Sequence, residues 1–438
     1  MEQTLSKIIP ICHEIGVTRT SDITYLDMLH IPNYTATLPG TEDSIWVYGG
    51  KGTTRLHAKA SALMEAVERY CSFASNCSKS FIRGSYFELS KSYKRVLHPS
   101  EVVEPVLETY DDNHSIIEFL PGVDILNSEE ILVPAQLVLS RYSPVLPAVS
   151  VFPYSHTNGL ASGNVLEEAI CHSLCELIER DAVGIADLCA SSIPYTILET
   201  VVMSFDKFGH PITRFPEDRF VDDSSIFLDV DLFEIEQFEP IRFLIDRFRS
   251  SGIPLLIKDI TQGDIGIPTF VASGVERITD TYGYFARGYG THPDARIALM
   301  RAITEASQTR ATNIQGARED LRKVEYLDGD EIDKRKWQFM PASILVNKDR
   351  PRTTKFSSIT TYQNEDLLDD IKIILNSLKR AGLRKVIIVD LTNPNVGIPV
   401  VRAIVPGLET FEVAKLVMSK RIVIGRRAKN QFVKLLYC

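Results

Sequence analysis

Three segments of the chain place carboxylates at helical spacing beside small and apolar residues. The first reads Ala58-Lys-Ala-Ser61-Ala-Leu-Met-Glu65-Ala-Val-Glu68-Arg69. The second, shifted by 111 residues, reads Ala169-Ile-Cys-His172-Ser-Leu-Cys-Glu176-Leu-Ile-Glu179-Arg180. The third, shifted by 240 from the first, reads Ala298-Leu-Met-Arg301-Ala-Ile-Thr-Glu305-Ala-Ser-Gln308-Thr309. Each begins on Ala, fills one slot with Leu63, Leu174 or Ile303, and follows a Glu by Glu or Gln three residues later. Residues three and four apart share a helix face, so Ser61, Glu65 and Glu68 fall within an arc of about 60°, as do Arg301, Glu305 and Gln308. On the second segment Glu168, His172, Glu176 and Glu179 fall within about 80°.

Taken singly, each stripe reads as a solvated helix face, because Glu is common on helix surfaces. Three together read differently. The flanking residues are Ala, Leu, Ile, Val and Cys almost all round, and a carboxylate on a buried helix must be paired or bind a cation. Few basic residues are interleaved apart from Arg69, Arg180 and Arg301, which favours bound cations. Oxygen-only donors suit Mg2+ or Ca2+ rather than zinc or copper. Because Mg2+ is commonly held by carboxylates together with substrate phosphates, the stripes point to a nucleoside triphosphate. Glycine turns precede all three helices: Gly49-Gly-Lys51-Gly-Thr-Thr, Ser162-Gly163-Asn164 and Arg287-Gly-Tyr-Gly-Thr-His-Pro. Such a turn either offers backbone N–H groups to an anion or serves backbone geometry alone. The first is no P-loop, since Ile45 stands where that motif has its leading glycine.

The elements that must hold these residues follow from hydrophobic period and turn signals. Helices are expected over about 56–73, 164–190 and 294–311. Residues 1–48 read as irregular, because Pro10, Pro32 and Pro39 interrupt their short runs. The stretch 80–150 reads as strands and loops, with Ile131-Leu-Val-Pro-Ala-Gln-Leu-Val-Leu β-like, and 254–258 and 268–275 read as buried strands. A helix from Asp366 to Ala381, stopped by Gly382 and followed by Lys385-Val-Ile-Ile-Val-Asp-Leu, makes an α/β unit and suggests a mixed or partly parallel sheet. The polar run Tyr326-Leu-Asp-Gly-Asp-Glu-Ile-Asp-Lys-Arg-Lys reads as an exposed connection. The expected fold class is α/β in the mixed α+β sense, with carboxylate-bearing helices packed on mixed sheets.

Composition narrows the function. With 48 basic and 57 acidic residues the formal charge is 48 − 57 = −9, and no long basic run is present, which argues against a duplex nucleic-acid partner. At 44% hydrophobic and 24% charged, the 438 residues are those of a globular protein rather than a disordered one. No run reaches the 18 or so apolar residues of a membrane helix, and the opening Met-Glu-Gln-Thr-Leu-Ser-Lys lacks a signal-peptide apolar region, so no membrane and a cytoplasmic location are expected. Seven cysteines form an odd number without regular spacing, which suits reduced thiols. Cys171 and Cys175 are four apart and could share a metal, but no second pair has ligand-like spacing, and buried core thiols are the better reading.

These segments resemble the YcaO family. Its first signature, Ser-x3-Glu-x2-Glu-Arg, stands here as Ser61, Glu65, Glu68 and Arg69, preceded by Gly50-Lys51-Gly52. Asn158-Gly-Leu-Ala-Ser-Gly-Asn-Val-Leu-Glu-Glu-Ala169 followed by Glu176-Leu-Ile-Glu-Arg-Asp181 looks like its second block. Glu305 and Gln308 running into Gly316-Ala-Arg-Glu-Asp320 resemble its third, and Asp390-Leu-Thr with Pro399-Val-Val-Arg-Ala-Ile-Val-Pro-Gly-Leu-Glu409 its C-terminal block. The resemblance implies a YcaO-type ATP-binding fold and a division into an N-terminal segment 1–48, a YcaO domain 49–425 and a tail 426–438. It implies ATP and Mg2+ as cofactors. Glu65, Glu68, Glu168, Glu176 and Glu179 would hold Mg2+; Lys51, Ser61, Arg69, Arg180, Glu305 and Gln308 would contact ATP; Glu65, Glu68 and Glu179 would serve catalysis. Asn164 stands where some members have Glu, and Arg310, on the face opposite Glu305, reads as structural.

The reaction implied is phosphorylation of a peptide-backbone amide oxygen followed by attack of a nucleophile and loss of phosphate. A neighbouring Cys, Ser or Thr gives an azoline, and external sulfide gives a thioamide. Azoline-forming members often end in a proline-rich tail, whereas this sequence has no proline after Pro406. The run Ile15-Gly-Val-Thr-Arg-Thr-Ser-Asp-Ile-Thr-Tyr-Leu-Asp27 looks like archaeal and TfuA-associated members, including those linked to thioglycine formation in methyl-coenzyme M reductase. The resemblance therefore favours thioamidation of a protein or peptide, with the methyl-coenzyme M reductase α subunit a candidate substrate and a TfuA-like partner delivering sulfur. The rivals are an azoline-forming cyclodehydratase and, from another class, a non-catalytic ATP-binding scaffold; a homodimer stays open. Cys438 reads as a solvated terminal thiol rather than a sulfur carrier.

Overall fold

The computed structural model describes residues 1–104, 106–190, 228–277, 283–317 and 353–410. The tail 426–438 with Cys438, the polar run 326–336 and residues 318–320 of the third block lie outside the described residues. The chain divides into two compact units. One comprises Met1–Leu177, Ser307–Leu327 and Gln363–Leu408, the other Ile178–Ala306, Asp328–Tyr362 and Glu409–Cys438.

The first unit opens with helix α1 (Glu2–Glu14), which corrects the expectation of an irregular start. Pro10 lies inside it and removes one i→i−4 hydrogen bond, yet Leu5, Ile8 and Cys12 form a buried stripe at spacings of three and four, and that burial outweighs the loss. Strands β1 (Arg19–Asp22), β2 (Asn33–Thr37) and β3 (Val47–Lys51) follow as an antiparallel sheet in that order. Helix α2 (Arg55–Ser72) leaves β3 through a tight turn, and Thr54 caps it by accepting the His57 N–H at 3.2 Å. Next come β4 (Ile82–Gly84), α3 (Tyr86–Ser92, with a Ser85/Glu88 capping box), β5 (Ile117–Asp124) and β6 (Glu129–Pro134). The run expected as β through Leu139 turns at Pro134 into the short helix α4 (Ala135–Val138), since proline cannot donate to the ladder and presets a helix entry. Strand β7 (Leu160–Ser162) then leads into α5 (Leu166–Ala190).

The second unit holds a sheet of β8 (Leu228–Val230), β9 (Leu255–Asp259), β10 (Thr269–Arg277), β11 (Gly283–Thr291) and β12 (Thr353–Thr354), in the order β11-β10-β9-β8-β12. Helices α6 (Leu232–Ile235) and α7 (Glu239–Ser250) lie between β8 and β9, and α8 (Ala295–Gln315) follows β11. The only parallel pair among the described strands is β12 with β8; the rest are antiparallel. Returning to the first unit, α9 (Leu367–Arg380) is capped by Asp366 and ends at Gly382, whose φ of +88° suits glycine. Strands β13 (Ile387–Asp390) and β14 (Val400–Ile404) complete a sheet ordered β4-β5-β13-β14-β7, with β6 on β5. The α/β unit in the sequence suggests a mixed or partly parallel sheet; at β13 the pairing is antiparallel with both neighbours. The core of this unit runs from Leu5 and Ile8 through Leu63, Ala66 and Val67 to Val389 and Val400.

Candidate functional site

The threefold sequence pattern is a threefold strand–helix unit: β3 with α2, β7 with α5, and β11 with α8. In each, a glycine lies where no side chain fits. A Cβ on Gly50 would collide with the backbone of Ala58 and Ala62, and one on Gly290 with that of Ala298 and Ala302. Gly52 meets Ala58 and Gly163 meets Ala169 in the same way. Both the glycines and the leading alanines are thereby explained, because helix backbone packs directly on strand backbone. The turns serve backbone geometry. Carboxylates then reach across to the strands: Glu68 Oε2 accepts the Ser162 N–H at 3.1 Å, Glu176 Oε2 the Gly159 N–H at 3.2 Å, and Glu305 Oε1 the Tyr289 N–H at 3.3 Å.

Within the first unit, Glu65, Glu68, Arg69 and Glu176 form one electrostatic cluster. Arg69 Nη2 lies 3.8 Å from Glu65 Oε1. Glu68 keeps a little accessible surface but is densely surrounded, and that burial pushes its carboxyl well above the usual carboxylate range. The Arg69 guanidinium pulls it back, while Glu176 and Glu65 push it further up. For Arg69 burial works downward, yet the carboxylates of Glu65, Glu68, Asp43 and Glu176 win and hold the guanidinium above its ordinary value. Ser61 is half-buried one turn before Glu65 on α2, and Lys51 is half-buried at the end of β3. Gln308 lies against β3, since a Cβ on Gly49 would collide with its side-chain amide.

Three residues that sequence reasoning did not single out join this cluster. Arg402, on β14, is 1% exposed. Burial pulls its guanidinium down to about 10, with Glu176 opposing most strongly and Arg69 reinforcing, so it stays protonated at neutral pH. Its Nη2 donates to His156 Nδ1 at 3.0 Å and to the His156 carbonyl at 2.8 Å, and His156 Nε2 lies 3.0 Å from Glu104 Oε1. Positions 104, 156 and 402 share no period. Only the pairing of Leu160 with Arg402 between β7 and β14 brings the last two together.

Other expected residues have different surroundings. Glu168 accepts both the backbone N–H and the Nδ2 of Asn164 on one oxygen, at 2.8 and 2.9 Å, which is the geometry of a helix-start cap. His172 is exposed. Glu179, buried, and Arg180, half-buried, belong with Glu305 to the second unit, where Asp181 Oδ1 also accepts the Glu409 N–H at 2.8 Å. Arg310 pairs with Asp27. The cysteines described at side-chain level form no disulfide with one another, and burial pushes Cys12 up to about 12 and Cys71 to about 11, as expected of inert core thiols. No helix among the described residues is long and apolar enough to cross a membrane.

The model of a family described as YcaO cyclodehydratase, ATP- and Mg2+-binding, matches residues 49–409. This chain belongs to the YcaO family. An uncharacterised protein of Methanothermobacter thermautotrophicus is 34% identical over 422 residues, spanning 93% of this chain and 94% of its own length. An uncharacterised protein in the tfuA 3' region of Rhizobium leguminosarum bv. trifolii is 29% identical over 435 residues, 98% of this chain and 91% of its own. Among solved structures, a heterocyclase in complex with substrate and cofactor superposes with a TM-score of 0.72 at 22% identity, covering 97% of this chain and 55% of the heterocyclase. The YcaO of Methanopyrus kandleri bound with AMPPCP and Mg2+ superposes with a TM-score of 0.60 at 22% identity, covering 93% of this chain and 91% of that one. This chain therefore spans about half the heterocyclase and nearly all of the archaeal protein, and the mixed α+β fold is the YcaO fold.

The cofactors of the family, ATP and Mg2+, suit the residues present. Glu65, Glu68 and Glu176 offer only oxygen donors, and a carboxyl whose proton is held more tightly through burial and like charge is one whose charge a divalent cation would compensate. Among the described residues, Arg69 Nε and Arg402 Nε and Nη1 are buried without hydrogen-bond partners. Buried guanidinium N–H groups of this kind suit phosphate oxygens.

Proposed function

We propose that this protein activates a peptide-backbone amide with ATP and then directs sulfide to the activated carbon, giving a thioamide. The observation that carries the ATP-dependent step is the half-buried cluster of Glu65, Glu68 and Glu176 interleaved with Arg69 and the buried Arg402. ATP with Mg2+ supplies the phosphoryl group and neutralises charge as it transfers. Glu65, Glu68 and Glu176 hold the metal, with Glu179, three residues beyond Glu176 on α5, and Glu168 as further carboxylates. Lys51, Ser61, Arg69, Arg180, Glu305 and Gln308 bind the nucleotide. Arg69 stays charged among carboxylates, so it offers a fixed cation to the transferring group. Glu65, Glu68 and Glu179 act closest to the chemistry. In the overall change the amide oxygen leaves as orthophosphate and sulfur takes its place, with ADP the second product.

Sulfide rather than an internal side chain is favoured by the 29% identical relative from the tfuA 3' region. A TfuA-like partner as sulfur source follows from the same relative. Relatives among methanogens make the methyl-coenzyme M reductase α subunit the first substrate to try. The N-terminal segment 1–48 and the catalytic region 49–425 work as parts of that enzyme. Incubation of the full chain with ATP, Mg2+, sulfide and substrate peptide tests the reading by mass. A gain equal to the difference between sulfur and oxygen supports thioamidation; loss of one water assigns azoline formation, the activity in the family description. Nucleotide binding without phosphate release under any of these conditions leaves only the scaffold reading.

A further inference from the structure

Arg402 is nearly sealed from solvent at 1% exposure and is under-used. A guanidinium carries five N–H donors. Two nitrogens, Nε and Nη1, have no hydrogen-bond partner among the described residues, while Nη2 makes both bonds to His156, at 3.0 and 2.8 Å. Leaving charged donors unmet in a protein interior is costly, so an arrangement that keeps them points to a partner that the described residues do not supply.

The side chain is nonetheless fixed. His156 Nδ1 accepts from Arg402 Nη2 and also from the Asn158 N–H at 3.2 Å, so its proton sits on Nε2 and is donated to Glu104 Oε1 at 3.0 Å. Glu104 is 5% exposed. Loop 156–159, carried by the pairing of β7 with β14, therefore grips one edge of the guanidinium and leaves the other nitrogens available. The charges that act most strongly on Arg402 are Glu176, Arg69, Glu104 and Glu68, which sets it beside the carboxylates assigned to Mg2+. A Mg2+ ion held by those carboxylates would bring the phosphate chain of a nucleotide to that side of Arg402 and would neutralise charge on the group transferred.

We propose that Arg402 binds the terminal phosphoryl group of the nucleotide held at Glu65, Glu68 and Glu176, and that His156, anchored by Glu104, is the positioning residue that aims it. The proposal rests on the nucleotide-binding reading above. The test is the thermal stabilisation of the full chain by Mg2+-ATP and by Mg2+-ADP, measured for the wild type, Arg402→Lys, Arg402→Gln and His156→Ala. The wild type is expected to gain more from ATP than from ADP. Both Arg402 variants are expected to lose that excess while keeping the ADP response, with ATP affinity falling about ten- to hundredfold. His156→Ala is expected to move in the same direction by less, and it carries the test should the Arg402 variants fail to fold. Retention of the full ATP excess in a folded Arg402 variant, or equal loss of both responses, overturns the proposal. A wild-type chain that gains nothing from either nucleotide overturns the nucleotide reading itself.

Discussion

Arg310 and Arg402 are both withdrawn from solvent in the first unit, at 2% and 1% exposure, and the fold treats them in opposite ways. Arg310 lies across Asp27, with Nε at 3.3 and 3.1 Å from the two carboxylate oxygens and Nη2 at 3.0 Å from one. Asp27 is itself 3% exposed, so this is a closed pair that ties α8 to the N-terminal segment. Arg402 has a histidine for its direct partner, carboxylates as neighbours and two nitrogens unmet among the described residues. The difference separates a structural buried charge from one kept for a ligand: burial and charge are the same, and completeness of hydrogen bonding is not.

The comparison breaks first at Arg310. Arg310→Met strands the Asp27 carboxylate and is expected to cost about 3–5 kcal/mol of stability, read as a large fall in melting temperature without any change specific to nucleotide. Asp27→Asn combined with Arg310→Met should recover much of it, since an apolar or neutral replacement of both partners removes the uncompensated charge. A single substitution that leaves the melting temperature unchanged contradicts the structural assignment.

An opposite sign is expected on the acidic side. Glu68→Gln with Glu176→Gln removes mutual repulsion and keeps an acceptor for the Ser162 and Gly159 N–H groups. Without Mg2+ the double variant should melt higher than the wild type by about 1–2 kcal/mol of stability, and it should gain nothing from added Mg2+. Lower stability in the absence of metal means that the carboxylates are structural.

The smallest effect is in pH. The folded state holds the Glu68 proton more tightly than the unfolded state, so the metal-free protein loses stability as pH rises above the ordinary carboxylate range toward the raised value. Mg2+ must displace that proton, so its stabilising effect should grow as pH rises from the ordinary carboxylate range toward the raised value, by less than about 1.4 kcal/mol per pH unit for one proton released. A pH-independent Mg2+ response argues that Glu68 takes no part in binding.

What could be read from the sequence followed from what repeats. The period of 3.6 residues placed Glu65 and Glu68 on one face of α2, and three copies of the pattern made the stripe stand out from ordinary helix surface. The matching glycines were visible too, although their close packing on Ala58, Ala169 and Ala298 was not, because strand-on-helix contact is tertiary. Arg402 sits in the segment from Pro399 to Glu409 that resembles the family's C-terminal block, but nothing local distinguishes a buried arginine from an exposed one in an otherwise apolar strand. His156 lies beside it because β7 pairs with β14, and Glu104 joins through His156, which leaves no spacing to detect. Pro10 hides helix α1 in the sequence, because a local breaker stands inside a stripe of only Leu5, Ile8 and Cys12.

The central claim is that the acidic face of α2 exists to hold Mg2+ and ATP. Calorimetric titration of ATP into the full chain with Mg2+, for the wild type and Glu68→Gln, tests it most directly. The account expects saturable binding by the wild type that disappears on chelation of Mg2+, and affinity at least about tenfold weaker in the variant at an undiminished melting temperature. Equal affinity in the two proteins, or tight binding that survives chelation, would contradict it.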